Sequence, residues 1–461
     1  MSRISRSIIP SFFLFVVALA AEPADFIWSA RYVITMDASR RVIENGAVAI
    51  TGDRIVAVGT KAEIDARFQA KQRVDRPEAI LAPGLINTHT HAAMTLFRGI
   101  ADDVTLQDWL TKFIFPAEAK NVSAEFVRWG TRLGCLEMLL SGTTTFTDMY
   151  YFEDVVAEAA KEAGMRGVLG ETIIQFPVAD NKTPSDALAY TERYLKRFAG
   201  DPLITAAVAP HALYTNDDAT LKAARALANK YKAPLLIHLS ETKKENDAEL
   251  AKRHTTPTKT LDDLGVWNGR SIAAHSVWVD EADMQILKVR GVGIAHCPSS
   301  NMMLASGVAP IVRMLALDMP VGLGPDGPAG SNNDLNMFEE MDLAAKLQKV
   351  TSRNPQALGA AASLEMATIR GARALGMEKE IGSLEVGKRA DMITVRIDRP
   401  HAMPLYDAVS QMVYALKGSD VRDVMVNGKV VVRNANVMTL NEAQILAKAA
   451  EYRVKVSASL K

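Results

Sequence analysis

Between residues 81 and 326, short apolar runs alternate with stretches of helical periodicity, and this alternation most limits the folds open to the chain. After the run 81–86 come strand-like segments at 143–149, 166–174, 204–208, 235–238, 272–275, 293–296 and 321–326. Helical patterns separate them, among them 124–140, 155–163 and 219–231. Parallel strands need long crossovers, which helices supply. Eight such units over this length predict an α/β fold, a TIM-like (β/α)8 barrel rather than an open sheet.

The flanks read differently. Residues 26–37 alternate as a strand, and 47–59 form two short strands about the turn Thr51-Gly52-Asp53. Beyond residue 374, strands return at 391–396 and 421–432, turning at Asn427-Gly428, before a closing helix at 442–456. The two ends are expected to pack as one small β-sandwich-like domain. The expected division is a leader at 1–20, the first part of the β domain at 21–82, the barrel at 83–375, and the rest of the β domain with its helix at 376–461.

With 53 basic and 53 acidic residues, nothing points to a nucleic-acid surface or a strongly charged partner. Arg3 and Arg6 precede an apolar run at 8–19, and Ala18-Leu19-Ala20 fits a small-residue cleavage site. This pattern predicts a secretory signal peptide and a periplasmic or secreted protein. The alternative is an uncleaved anchor, for which the run is shorter than a bilayer span. No stable membrane association is expected after cleavage. Two cysteines, Cys135 and Cys297, make no disulfide framework, and there is no CxxC.

The chemistry gathers where such barrels carry it, at the C-terminal strand ends. The first run leads into Asn87-Thr88-His89-Thr90-His91. Residues i and i+2 of a strand share a face, so His89 and His91 can aim at one point, as two ligands of a divalent metal must. His238, His275 and Asp326 end the fifth, sixth and eighth strands, and Glu241 follows His238 in HLSET. Plainer roles remain open: His275 as a structural hydrogen-bonder, Asp326 as a turn residue, Glu241 as a helix-start carboxylate. His254 and His401 read as surface residues, and His296 as a brace.

The stretches GLINTHTHAAMTLFRGIADD, WLTKFIFPAEA, GTTTFTDMYYF, HLSET, NNDLNMFEEMDLAAKLQK and GSLEVGKRADM resemble the amidohydrolase superfamily. Within it they are most similar to the 5-methylthioadenosine/S-adenosylhomocysteine deaminase and chlorohydrolase-like, or triazine hydrolase, branch. The resemblance implies one zinc, with iron as the alternative, held by His89, His91, His238 and Asp326. Binuclear members carry a bridging lysine on the fourth strand; the absence of one here favours a single metal. By the same resemblance Glu118 accepts from two ribose hydroxyls and His211 reaches the nucleoside. A solvated helix charge is the alternative for Glu118, and core packing for Trp109 and Met94.

A metal on neutral imidazoles and a carboxylate lowers the pKa of its water, in favourable sites to about 7. Asp326 can take the water's proton, Glu241 can protonate a ring nitrogen, and His275 can hydrogen-bond the hydroxide or the developing oxyanion. Similarity to deaminases makes this hydrolytic deamination of an adenine nucleoside, 5-methylthioadenosine or adenosine, with S-adenosylhomocysteine as a further candidate, and release of ammonia. The alternatives are a triazine or cyclic-amide hydrolase and an exported binding protein with a dead site. The expected partner is a small nucleoside or related heterocycle, with a homo-oligomer left open.

Two departures from the family stand out. Pro325 replaces the usual threonine before Asp326, removing a backbone donor. The stretch 170–176 holds no arginine for the carboxylate of S-adenosylhomocysteine, and Glu171 would repel that carboxylate if it faced the site.

Overall fold

The computed structural model describes residues 21–460, so the leader expected at 1–20 lies outside the described residues. Eight parallel strands close into a barrel. They are β1 (Leu85–Thr90), β2 (Thr143–Tyr150), β3 (Arg166–Ile173), β4 (Ile204–Pro210), β5 (Leu235–Leu239), β6 (Ser271–His275), β7 (Gly293–His296) and β8 (Val321–Leu323). Leu323 of β8 pairs with Asn87 of β1 and completes the circle. Every residue of β1, β2 and β3 is buried, as expected of strands covered by helices outside and by packed side chains within.

Both chain ends build a separate mixed sheet. Its strands lie in the order Asn436–Val437, Lys429–Arg433, Val421–Val426, Met392–Arg396, Phe68–Pro83, Glu22–Ile34, Val42–Thr51, Arg54–Thr60. Trp28, Val48 and Ile50 pack on one face and Ile27, Ala47 and Ala49 on the other, so the unbroken run AVAI serves two apolar layers.

The apolar run 81–86 is not one strand. Leu81 and Ala82 pair with Thr394 and Ile393 in the end sheet, whereas Leu85 pairs with Thr143 in the barrel. The chain changes sheets at Gly84, whose N–H donates to the Asp391 carbonyl at 3.0 Å. A Cβ at Gly84 would overlap the Thr144 side chain, so the crossing needs glycine. Arg166 binds Asp391 through Nε and Nη2 at 3.0 and 3.3 Å, tying the two sheets together across a buried seam.

The closing helix, Glu442–Ser459, lies on the barrel side, with Tyr452 edge-on to Phe126 at 5.4 Å. Its Ser459 carbonyl accepts from Lys120, and its Ser459 hydroxyl from Asn121, both at 2.7 Å. These bonds hold the short helix Phe115–Asn121, part of the excursion between β1 and the helix Ala124–Leu140. Among the described residues no helix is long and apolar enough to cross a membrane.

Gly324, just past β8, sits where a Cβ would lie 2.7 Å from both the backbone nitrogen and oxygen of His89. Neither backbone atom can yield without moving β1. Gly324→Ala is therefore expected to destabilise the protein by about 1–3 kcal/mol. It should also lower turnover, because His89 and Asp326 lie on either side of the contact. A thermal melt and a kcat measurement check this; an unchanged melting temperature would contradict it.

Candidate active site

The C-terminal strand ends bring the expected side chains to one place. His89 and His91 stand at the end of β1, His238 on β5, His275 on β6, and Asp326 three residues past β8. The donor atoms of His89, His238, His275 and Asp326 all lie within 4.8 Å of one another. His91 borders this group, its Nε2 3.3 Å from Asp326 Oδ1; His89 Nε2 lies 3.2 Å from the same oxygen. Thus His275, expected as a hydrogen-bonder, belongs to the tightest cluster, and His91 joins through Asp326.

The outer contacts orient the rings. His91 Nδ1 donates to the Met149 carbonyl at 2.6 Å, and His238 Nδ1 donates to the His211 carbonyl at 2.8 Å. His275 Nδ1 faces Asn301 Oδ1 at 3.1 Å. In the neutral form each of these three imidazoles keeps its Nε2 lone pair, the arrangement that metal-ligating histidines need. Although burial works against it, the Asp326 carboxylate raises His91 to about 9, so a cation would displace a proton there. Asp326 Oδ2 accepts from the Ser300 hydroxyl at 2.7 Å, leaving Oδ1 to the imidazoles. His89 Nε2 is buried with no hydrogen-bond partner. A converging set of imidazole nitrogens and one carboxylate oxygen, with an orphaned nitrogen among them, fits a divalent cation of the zinc or iron type.

Backbone strain collects at the same rim. Ser240, His275 and Asp326 have φ of +47°, +69° and +65°. Such angles are uncommon outside glycine and recur at functional sites. Pro325 does not displace its neighbour: the Asp326 N–H donates to the His89 carbonyl at 3.1 Å, and Asn332 donates to the Pro325 carbonyl at 2.9 Å.

A cleft opens over the cluster. Glu118, His211, Glu241, Met94 and Trp109 all line it. Burial, with the charge of Asp326 beside it, pushes the Glu241 carboxyl up to about 8. Burial also pushes Glu118 up to about 7, against the pull of its hydrogen bond from Tyr150. Burial works against the ionised form of Asp326, but the imidazoles of His89 and His91 outweigh it and hold the carboxyl well below its usual range. His211 is lowered to about 3 by burial and by the nearby His91, so its ring is neutral at pH 7. Trp109 and Met94 are both core and wall; the Trp109 indole donates to the Ala329 carbonyl at 2.7 Å.

Glu171 does not face the site. Its carboxylate is buried and accepts from the Glu153 backbone at 3.0 Å and from Asn181 at 3.1 Å, while its neighbour Thr172 lines the cleft. The strand pleat turns the two in opposite directions, so repulsion of a substrate carboxylate by Glu171 falls away. His296 is buried with both ring nitrogens unpartnered and is not among the lining residues. His254 and His401 are exposed, the latter paired with Asp420 at 2.7 Å. Both cysteines are buried and free.

Four contributors escaped the sequence reading: Tyr150, Tyr151, Ser300 and Asn301. All follow the C-terminal end of a barrel strand or close it, which is the one signal that could have found them. Nothing local distinguishes them from packing residues.

Residues 80–431 match the amidohydrolase family. The chain is 47% identical over 429 residues to the 5-methylthioadenosine/S-adenosylhomocysteine deaminase 1 of Syntrophus aciditrophicus, covering 93% of this chain and 97% of that one. Similarity to the corresponding deaminase of Thermodesulfovibrio yellowstonii is 45% over 426 residues, 92% of this chain and 97% of that one. Among solved structures, a zinc-bound adenosine deaminase from Xanthomonas campestris superposes with a TM-score of 0.93 at 39% identity, covering 95% of this chain and 100% of that one. A triazine hydrolase from Arthrobacter aurescens has a TM-score of 0.87 at 24% identity over 93% of this chain and 99% of its own, a likeness of fold.

Proposed function

Because the chain belongs to the amidohydrolase family, we propose that it is a metal-dependent deaminase of adenine nucleosides, acting on 5-methylthioadenosine or adenosine and releasing ammonia. The observation that carries this reading is the pairing, in one cleft, of the Asp326–histidine cluster and Glu241 with a second buried carboxylate, Glu118. The first set suits hydrolysis at a ring carbon; above about pH 7, where it is ionised and acceptor-only, Glu118 suits a ribose diol.

His89, His91, His238 and Asp326 would hold one divalent cation, zinc or iron, with His275 facing the same point. Bound there, the cation supplies a Lewis acid that makes water nucleophilic near neutral pH. Glu241, raised to about 8, carries a proton at pH 7 and can deliver it to a ring nitrogen, making the adjacent amino-bearing carbon electrophilic. Asp326, held ionised, accepts the attacking water's proton, which then leaves with the amino group. His275 has Nδ1 engaged with Asn301, so its neutral Nε2 receives a hydrogen bond from the water rather than donating one to an oxyanion. His211 presents a neutral ring to the nucleoside. The N-terminal pattern at 1–20 further leads us to propose export to the periplasm or beyond.

The test is ammonia release by purified, metal-replete protein. Adenosine and 5-methylthioadenosine are expected to turn over. S-adenosylhomocysteine belongs in the panel too: Glu171 does not repel it, but the stretch 170–176 offers no arginine for its carboxylate, so weaker turnover is expected. Turnover of melamine or a chlorotriazine with silence on every adenine nucleoside would overturn the proposal in favour of a triazine-type hydrolase.

A further inference from the structure

Glu118 is the one carboxylate of the cleft that lies away from the barrel strand ends. It stands on a seven-residue helix outside the barrel, reached by a long excursion after β1. Yet its carboxylate is tied to the barrel wall by two consecutive residues at the end of β2. The Tyr150 hydroxyl donates to Oε1 at 2.7 Å and the Tyr151 hydroxyl donates to Oε2 at 3.3 Å. All three side chains are buried, at 6%, 4% and 5% exposure for Glu118, Tyr150 and Tyr151, and all three line the cleft. The phenol rings pack against each other, 4.7 Å apart at a tilt of 39°.

We infer that Tyr150 and Tyr151 are positioning residues that make Glu118 a reader of vicinal hydroxyls. The count of acceptor sites supports this. A carboxylate has about four lone-pair sites, two on each oxygen. One phenol occupies a site on each oxygen, so each oxygen retains capacity for one further donor. Two adjacent donors, one per oxygen, are what a cis-diol presents. A substrate lacking the diol would leave that buried acceptor capacity unused, and unpaired buried polar groups are where specificity arises. The same strand end anchors the metal cluster: Asp148 Oδ1 accepts from the Ala92 backbone at 2.5 Å, and the Met149 carbonyl accepts from His91. Four consecutive residues thus set the distance between the reacting centre and the ribose reader. The inference rests on the nucleoside reading above.

The test compares Tyr150→Phe, Tyr151→Phe and the double variant with the unsubstituted enzyme. Phenylalanine keeps the rings and removes only the hydroxyls. Affinity for adenosine and 2′,3′-dideoxyadenosine is measured by calorimetry in a Glu241→Gln background, so that turnover does not intrude, and kcat and KM are measured in the active background. Each single change is expected to weaken adenosine binding about three- to ten-fold, the effect of one hydrogen bond, and to raise KM in step. Affinity for the dideoxy compound and kcat should stay within about twofold. A purely structural role would weaken both ligands equally, and that result overturns the inference. Adenosine and dideoxyadenosine binding equally well to the unsubstituted protein overturns it too, while leaving deamination standing. A diol preference that the tyrosine changes abolish, in a protein that releases no ammonia, would uphold the clamp and sink the proposed reaction instead.

Discussion

Replacing Glu241 by glutamine is expected to lower kcat on adenosine by about 10²–10⁴-fold, the usual contribution of a positioned proton donor. Its carboxyl lines the cleft beside the cluster, 3.9 Å from His275, and burial keeps it protonated near neutral pH. Glutamine preserves the shape, so bound metal and the thermal midpoint should be unchanged. The pH dependence carries the sign of the shift. An ordinary glutamate, at 4.5, would have lost its proton well below pH 7, whereas this one is raised to about 8. A group that works in its protonated form keeps activity below that value and loses it above. Accordingly kcat/KM should rise as Glu118 ionises at about pH 7 and fall tenfold per pH unit above about pH 8. The residual activity of Glu241→Gln should lack that limb. A variant retaining most of its kcat would remove Glu241 from the chemistry and leave it as a helix-start carboxylate.

Stripping the metal should have the second large effect. Exhaustive chelation is expected to abolish ammonia release and to lower the thermal midpoint, and zinc or ferrous iron should restore both. A ligand that binds only the folded state stabilises it by RT ln(1 + [L]/Kd), about 4 kcal/mol at a thousandfold excess over Kd. Asp326→Asn removes the one negative charge in the cluster, carried on the oxygen that His89 and His91 both face. That variant should lose turnover by about 10³-fold or more and no longer gain thermal stability from added metal. Metal content is read by elemental analysis on the same samples. Full activity after chelation, with no metal detected, would refute the cation and with it the role given to the cluster.

Much of this site could be read along the chain. His89 and His91 share a face because side chains alternate along a strand, which is a local property. The helices between the strands implied parallel pairing, and parallel barrels carry chemistry at one rim, so His238, His275 and Asp326 could be assigned to a common mouth before any contact was known. The split of the run 81–86 could not be read in this way. Leu81 and Leu85 look alike in the sequence, and only the partners Thr394 and Thr143 assign them to different sheets. Glu171 and Thr172 show the limit of residue type: one is charged, yet it is the other that faces the cleft, because the pleat decides.

The sequence by itself determined the barrel, a β domain built from both ends and the kinds of side chain at the strand ends, since periodicity, turn residues and connection length act between near neighbours. Only the tertiary structure decided how those groups are tuned. Tyr150 and Tyr151 meet Glu118, Ser300 meets Asp326 and Asn301 meets His275 across separations of 26 to 33 residues. Closure of the barrel creates those contacts, and with them the burial that raises Glu241 and the hydrogen bonds that choose the histidine tautomers. Desolvation and orientation are properties of the closed cleft, and no segment of the chain possesses them alone.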